Sequence, residues 1–520
     1  MNVAGLLLIA LVPENVDMSV HNLGCHLAAA GGGCILVALD KAGSDRAWTG
    51  ILIAIISCFV LFLALNSVKL MSFSPWITAS QKVLIVSFAI WTGHLAWRER
   101  SAGLRAWQKS ILFAFVALAA LAVAVQHRGG NIPQGVGVAS VKPHSVPKPL
   151  SSDEQAALRW LEHVTGPLSA SEEKEWWDIG GRQFSVFSKR YNLAFCGYAA
   201  AALGQRGNAS QRQAAGRIID NCISRYLKRE IWEYSMTKSY WGQKPWAPDP
   251  CFRENVMYTG HLLQMLAFYE LLTGDTRYWK DGFDFIWNEK RKVHYDVKKL
   301  IDVTVHQMRN GPNGGVCCEP GLMFFPCNNH PHVALAIFSR LGHGDWTHDA
   351  RRWEKWALGH YVDPLFGGGA LNLVYHTRSG LFYPRGHCSL DGWSLLWYEP
   401  WAKNRGSAVA LWRQATKRID WKHLGLAPDT TAGGETCCNP VDVPPVASAT
   451  FLAAAARACD DPATAERLEL LVEPLLSRKN GMLYVDVGRE WRIGVTANYF
   501  IALAEKNGSR FRQMLYVAGP

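Results

Sequence analysis

Charge is scarce in this sequence: Asp, Glu, Lys and Arg make up 19% of its 520 residues, against about 25% in an ordinary soluble domain. With 49% apolar residues beside it, that scarcity excludes a disordered chain. The 46 glycines follow no three-residue period, which excludes collagen. No Cys-x-x-Cys pair and no Cys/His cluster has zinc-finger spacing, and 13 cysteines over this length do not make a small disulfide scaffold. No basic stretch precedes Met1–Val12, so that apolar start lacks the opening of a cleaved secretion signal. Strand signals are few and short, at Leu381–Tyr383 and Met482–Val487. Tryptophan is abundant instead, 22 residues within 11% aromatics, enough to line a large apolar cavity.

The apolar residues gather at the start of the chain. Ile51–Val68 is nearly uninterrupted and long enough to cross a bilayer core. Val83–Trp97, Ile111–Val125 and the Gly/Ala-rich Leu23–Leu39 are further candidates, and Met1–Val12 is a shorter one. About four or five spans are expected in residues 1–128. The turn that follows Trp97 carries Arg98, Arg100, Arg105 and Lys109 against the single Glu99, so the positive-inside bias makes it cytoplasmic. One more crossing then places everything after His127 on the non-cytoplasmic side, as the soluble part of an integral membrane protein. The net charge of +11 is thus partly topological. Its remaining Lys and Arg are scattered, which argues against nucleic acid, while the N-terminal apolar helices make the lipid bilayer a partner.

Residues 129–152 are rich in Gly and Pro and predict an extended linker. From Asp153 to Pro520 the apolar spacing is helical in Asp153–His163, Phe187–Leu203, Ser210–Lys228, Asn255–Leu272, His330–Leu341, Ala408–Lys417, Val446–Cys459 and Ala463–Leu476. Helices joined alternately by short turns and long loops predict an all-α architecture. A transmembrane helical bundle is followed by an (α/α)6 barrel of helical hairpins over residues 153–520, with the long loops collected at one end.

Two stretches carry chemistry. In the first, Met257 and His261 lie four residues apart on one helical face with Tyr258 beside it. His261 is either a core histidine bonded to backbone or an acid or base facing a cavity. In the second, Cys318 and Cys327 are nine apart; Glu319 and Pro320 follow the first, and Asn328 follows the second. Pro320, Gly321 and Pro326 predict a shaped loop running into a helix that begins near His330. The cysteines allow a disulfide, a metal site with His330 and His332, or free acid, base or nucleophile groups. On spacing alone the disulfide leads.

Together these stretches resemble the linalool dehydratase/isomerase family. The likeness runs through ENVMYTGHL at 254–262, LLTGDTRY at 271–278, VCCEP at 316–320, Cys327-Asn328, YHTRSG at 375–380 and the segment bearing Trp393. It spans most of residues 155–505 and none of the membrane part. It implies an α/α barrel, ring-shaped homo-oligomers with the substrate channel near a subunit interface, and a small apolar substrate. The implied reactions are interconversion of linalool with geraniol and dehydration of linalool to myrcene, without metal or organic cofactor. Carried over by position, the family's binding Met and its His fall on Met257 and His261. Its two active-site cysteines fall on Cys318 and Cys327, which the resemblance makes free thiols. Tyr258, Glu319, Asp391 and Trp393 join them as substrate-binding candidates.

The sequence departs from the family at its carboxylate and phenol. The best register places Glu162 or His163 at the family's Asp, Leu168 at its Tyr, and Ser389 at a further Tyr. Glu162 is therefore the candidate acid, and Asp391 the candidate substitute for the lost phenol. Two rival functions follow from the same residues. A carbohydrate-active barrel enzyme would need two carboxylates across one cleft, with Glu254, Glu319 and Asp391 available. A sensor or assembly protein would need no intact site.

Overall fold

The computed structural model describes residues 149–516 except 179–187, 234–242, 245–246, 312, 320, 363–370, 373, 378–379, 384–387, 420, 422–423 and 426–443. The expected membrane spans and the linker up to 148 lie outside the described residues. Among the described residues, no helix is long and apolar enough to cross a membrane.

The described chain is predominantly helical. In order, its helices of six residues or more are α1 (Ser152–Thr165), α2 (Ala170–Trp177), α3 (Lys189–Gly204), α4 (Ala209–Tyr226), α5 (Val256–Thr273), α6 (Val297–Asn310) and α7 (Phe325–Arg340). Then come α8 (Thr347–His360), α9 (Cys388–Tyr398), α10 (Arg405–Thr416), α11 (Pro445–Ala458), α12 (Pro462–Glu469), α13 (Arg489–Lys506) and α14 (Phe511–Tyr516). Six of them close a ring. α3 packs on α5, α5 on α7, α7 on α9, α9 on α11, α11 on α13, and α13 returns to α3. A second helix stands outside each: α4 on α3 and α5, α6 on α5, α8 on α7, α10 on α9, α12 on α11, and α1 on α13 and α3.

Residue pattern decides which helix goes where. A helix apolar on all sides must be buried, and one with an apolar stripe lies at the surface. Every residue of α5 from Val256 to Glu270 is buried, and so is every residue of α11 from Val446 to Ala458. The outer α6 buries only Val297, Leu300, Ile301, Thr304, Val305 and Met308, a three-and-four-residue stripe. α1 starts with a reciprocal capping box between Ser151 and Glu154. Glu154 then pairs with Arg206, buried just beyond the end of α3. Trp160 of α1 packs edge-on against Trp176 and Phe500, tying α1 to α2 and α13.

Short antiparallel strands fill the long loops: β1 (Phe283–Asn288) with β2 (Arg291–Tyr295), the sheet β3 (Leu322–Phe324)–β4 (Val374–His376)–β5 (Leu381–Tyr383), and β6 (Leu476–Lys479) with β7 (Met482–Val485). β3 runs straight into α7. That helix begins at Phe325, five residues before the expected start at His330. Pro326 sits in its first turn, where a missing N–H costs nothing. Pro331 lies inside the helix and cannot bond the Cys327 carbonyl one turn back.

Candidate active site

The ring interior near the N-terminal ends of α3, α5 and α7 gathers the polar groups of the core. Tyr191 and Tyr198 come from α3, Met257, His261 and Gln264 from α5, Cys327 and His330 from α7, and Trp393 from α9. All are buried. α5 and α7 approach closely because residue 260 is glycine; a Cβ there would stand 2.9 Å from Pro331 Cδ. The closeness brings the His261 and His330 ring centroids to 3.8 Å.

The imidazole half is a hydrogen-bonded chain. Tyr198 Oη lies 2.7 Å from His261 Nδ1 and 3.5 Å from His330 Nδ1. His330 Nδ1 also lies 2.6 Å from Gln264 Oε1, and Trp393 Nε1 donates to His330 Nε2 at 2.9 Å. His261 Nε2 has no partner among the described residues. Burial, and then the charge of Arg190, holds the His261 pKa well below its ordinary value. Burial and then His261 do the same to His330. Both rings are therefore neutral near pH 7.

The thiol half is built by a loop clamped to the start of α7. Asn328 accepts from the Val316 N–H at 2.8 Å and donates to the carbonyls of Val316 and Phe324 at 3.0 and 2.8 Å. Cys318 N–H donates to Leu322 O at 2.8 Å across a turn in which Gly321 adopts φ +77°, a conformation that favours glycine. The clamp places Cys318 against Cys327, and the two free thiols share a hydrogen bond. Burial first, then that bond, pushes the Cys318 thiol well up, so it holds its proton. Glu319 is buried, its Oε2 has no partner among the described residues, and burial raises its pKa to about 7 against the opposing Arg190 charge.

Tyr191 links the halves. Its ring stands edge-on to His261 at 5.2 Å and to Trp393 at 5.1 Å. Burial raises its phenol, and Cys327, Cys318 and Glu319 add to the rise while Arg190 opposes it. The Arg190 guanidinium lies 4.6 Å from the Tyr191 ring centroid and donates toward Met257 Sδ at 3.7 Å.

The structure thus brings together Met257, His261, Cys318, Glu319, Cys327 and Trp393. Three other candidates stand elsewhere. Glu162 is on the outer helix α1, 42% exposed and paired with Arg217 of α4 at 2.7 Å. It does not join the buried cluster, because the register that placed it at the family's Asp lies on a solvent-facing position. Tyr258 stacks on Tyr226 at 4.6 Å and donates to its carbonyl at 2.9 Å, fastening α5 to α4. Asp391 is buried, but its neighbour is Arg418 at 3.8 Å, and it sits two residues from Trp393 on another face of α9. Burial raises its pKa to about 6, with Arg418 opposing.

The disulfide that spacing favoured is absent between Cys318 and Cys327. The metal alternative does not assemble either: His330 faces His261 and Trp393, His332 packs on Trp401 at 4.7 Å, and no metal-holding cluster occurs among the described residues. Tyr198, Gln264 and Arg190 join the site without having stood out in the sequence. Tyr191, Phe195 and Tyr198 form a four-then-three aromatic stripe on α3, which was the available signal.

Residues 190–491 match the family profile described as Linalool dehydratase/isomerase. Among solved structures, the GH76A α-1,6-mannanase of Salegentibacter sp. HEL1_6 is 10% identical, covering 68% of this chain and 98% of its own, with a TM-score of 0.40. A protein of Salmonella enterica described as a possible member of the GH105 family is 11% identical, covering 73% and 98%, with a TM-score of 0.44.

Proposed function

This chain belongs to the linalool dehydratase/isomerase family, and from that premise we propose that it dehydrates and isomerises a small apolar alkenol by acid–base chemistry on an (α/α)6 barrel. The observation that carries the reading is the buried Cys318–Cys327 thiol pair, set with Glu319 and Tyr191 beside a neutral His261. Loss of water from a tertiary allylic alcohol needs a proton for the hydroxyl and an acceptor for a carbon-bound proton. It also needs surroundings that tolerate a transient cation. Groups that hold a proton in the resting state, Cys318 and Glu319, suit the first need. The conjugate base left after donation suits the second, so alkenol becomes diene plus water with no net proton. The ring faces of Tyr191 and Trp393 suit the third. A protonated Cys318 favours proton transfer over covalent attack, since the thiolate is the nucleophile.

The carbohydrate alternative lacks this support. Asp391 is engaged by Arg418, so a carboxylate pair would have to come from Glu319 and Glu254, whose charge reaches Cys317. Incubation with linalool, geraniol, other alkenols and glycosides, with products read by gas chromatography, tests the reading. Diene or isomer is expected from an alkenol; release of sugar instead would overturn it.

The acid assigned to Glu319 has a pH signature. Its pKa of about 7 lies above the ordinary carboxyl value, so it is protonated below pH 7 and loses the proton as pH rises through 7. Turnover should fall above about pH 7, and Glu319→Gln should remove that limb. Turnover that is flat or rising from pH 6 to 8.5 would exclude Glu319 as the acid. By the same linkage the native state binds the extra proton between the ordinary value and about 7, so this group's contribution to stability falls with rising pH across that window.

We also propose that residues 1–128 anchor the enzyme in a bilayer, which suits a substrate that partitions into lipid. A reporter fused after Pro520 should be active only on the non-cytoplasmic side. Activity in the cytoplasm would reverse the orientation.

A further inference from the structure

We propose that Tyr198 is a positioning residue that fixes the tautomer of His261, so that the imidazole offers Nε2–H, not a lone pair, to the substrate's hydroxyl oxygen. This rests on the alkenol reading above and assigns His261 a narrower role within it.

The chain of donors leaves one consistent arrangement. Trp393 Nε1 can only donate, so His330 Nε2, 2.9 Å away, accepts. A neutral imidazole carries one N–H, so the His330 proton sits on Nδ1. It meets the Gln264 carbonyl oxygen at 2.6 Å; a flipped amide would set a third donor against a ring with no second acceptor. His330 Nδ1, already protonated, cannot accept from the Tyr198 hydroxyl 3.5 Å away. Among the described groups, the acceptor left for that hydroxyl is His261 Nδ1, at 2.7 Å. The reverse bond, from His261 to Tyr198, would leave a buried O–H with no acceptor, which is costly. His261 therefore keeps its proton on Nε2, the nitrogen that has no partner among the described residues.

Work divides accordingly. An Nε2–H donor engages one lone pair of the substrate hydroxyl and leaves the other open to the proton donor of the thiol and carboxyl half. The carbon-bound proton goes to that half as well, since His261 has no free lone pair at Nε2. Tyr198 touches no reacting atom and acts through His261. Nothing in this division needs a covalent or redox step.

The test is nitrogen NMR on the full-length protein labelled with ¹⁵N-histidine, as wild type and Tyr198→Phe, together with steady-state kinetics. In the wild type the His261 signals should show a protonated Nε2 and an unprotonated Nδ1. In Tyr198→Phe the two tautomers should mix. Its kcat should fall on the order of 10–100-fold, the size of loss seen when the partner that orients a metal-ligating histidine is removed, with a smaller change in KM. A wild-type His261 protonated on Nδ1 would overturn the proposal. So would a Tyr198→Phe protein with unchanged tautomer and unchanged kcat. If that variant does not fold, the wild-type spectrum alone decides. A wild type that turns over no alkenol would sink the proposed function, while the tautomer would still be read from the spectrum.

Discussion

Replacing His261 by Phe is expected to cut turnover per folded molecule about 10²–10⁴-fold, the span typical of groups that handle protons or bind developing charge. Phe keeps a planar ring in the space between Tyr191 and His330, whose rings lie 5.2 and 3.8 Å from that of His261. The cavity term is therefore small. Phe cannot accept from Tyr198, however, and a buried hydroxyl left without a partner costs about 1–3 kcal/mol. A drop of a few degrees in melting temperature should accompany the loss of activity. Were His261 a structural member of the core, the same variant would show the melting shift and keep nearly all its turnover. Rate and melting temperature measured on one preparation separate the two roles. A His261→Phe variant with wild-type kcat on a substrate the wild type accepts would end the assignment of His261 to the active site.

The parts of this site that were legible in the sequence are those with local signatures. Met257 and His261 share a face because they are four apart in a helix, and α5 is recognisable by its unbroken apolar content. The Cys318 loop was recognisable as shaped because of its glycine and prolines. Its disulfide reading failed because nine-residue spacing says nothing about burial, and the Asn328 clamp that sets the sulfur atoms side by side depends on contacts to Val316 twelve residues away. α7 starts earlier than its sequence suggests for a related reason. Pro326 breaks a helix interior but suits a first turn, and only the tertiary position of β3 shows which applies. The hairpin of β1 and β2 is hard to read although Phe283, Phe285 and Trp287 alternate inward, because that run also carries charge and a bulge between Ile286 and Asn288. α8 is equally faint because it buries only Asp349, Trp353, Glu354 and Ala357, too narrow a stripe to stand out against its charges. Glu162 illustrates the limit of positional transfer. Its register matched, but the apolar stripe of Ala157, Leu158, Trp160, Leu161 and Val164 is what packs inward, and it leaves Glu162 on the solvent side of α1 with Arg217. Tyr198, and the place of His330 in the hydrogen-bonded chain rather than at a metal, become visible only when α3, α5 and α7 are brought together.

Cys318→Ser should abolish most of the activity while leaving the fold intact, a loss again of about 10²–10⁴-fold. Serine keeps the size and can keep a hydrogen bond to Cys327, so packing and loop geometry survive. It cannot release a proton over the range available to a thiol. Burial and the Cys327 contact already push the Cys318 thiol well up, so the wild-type group rests protonated, ready to donate and then recover a proton within one turnover. Cys317→Ser is the matched control. That thiol is also buried, but it bonds to Thr377 and to the Gly321 backbone rather than to Cys327, and turnover should stay within about twofold of wild type, as for a substitution away from the reacting atoms. Alkylation of active enzyme under denaturing, non-reducing conditions, followed by mass mapping, should recover Cys318 and Cys327 both modified. A Cys318–Cys327 bridge in fully active protein would refute the proton-carrying role. A Cys318→Ser enzyme that keeps wild-type turnover would shift the acid to Glu319 alone, whose proton is lost as pH rises through about 7. The pH profile of that variant would then carry the whole of the alkaline limb.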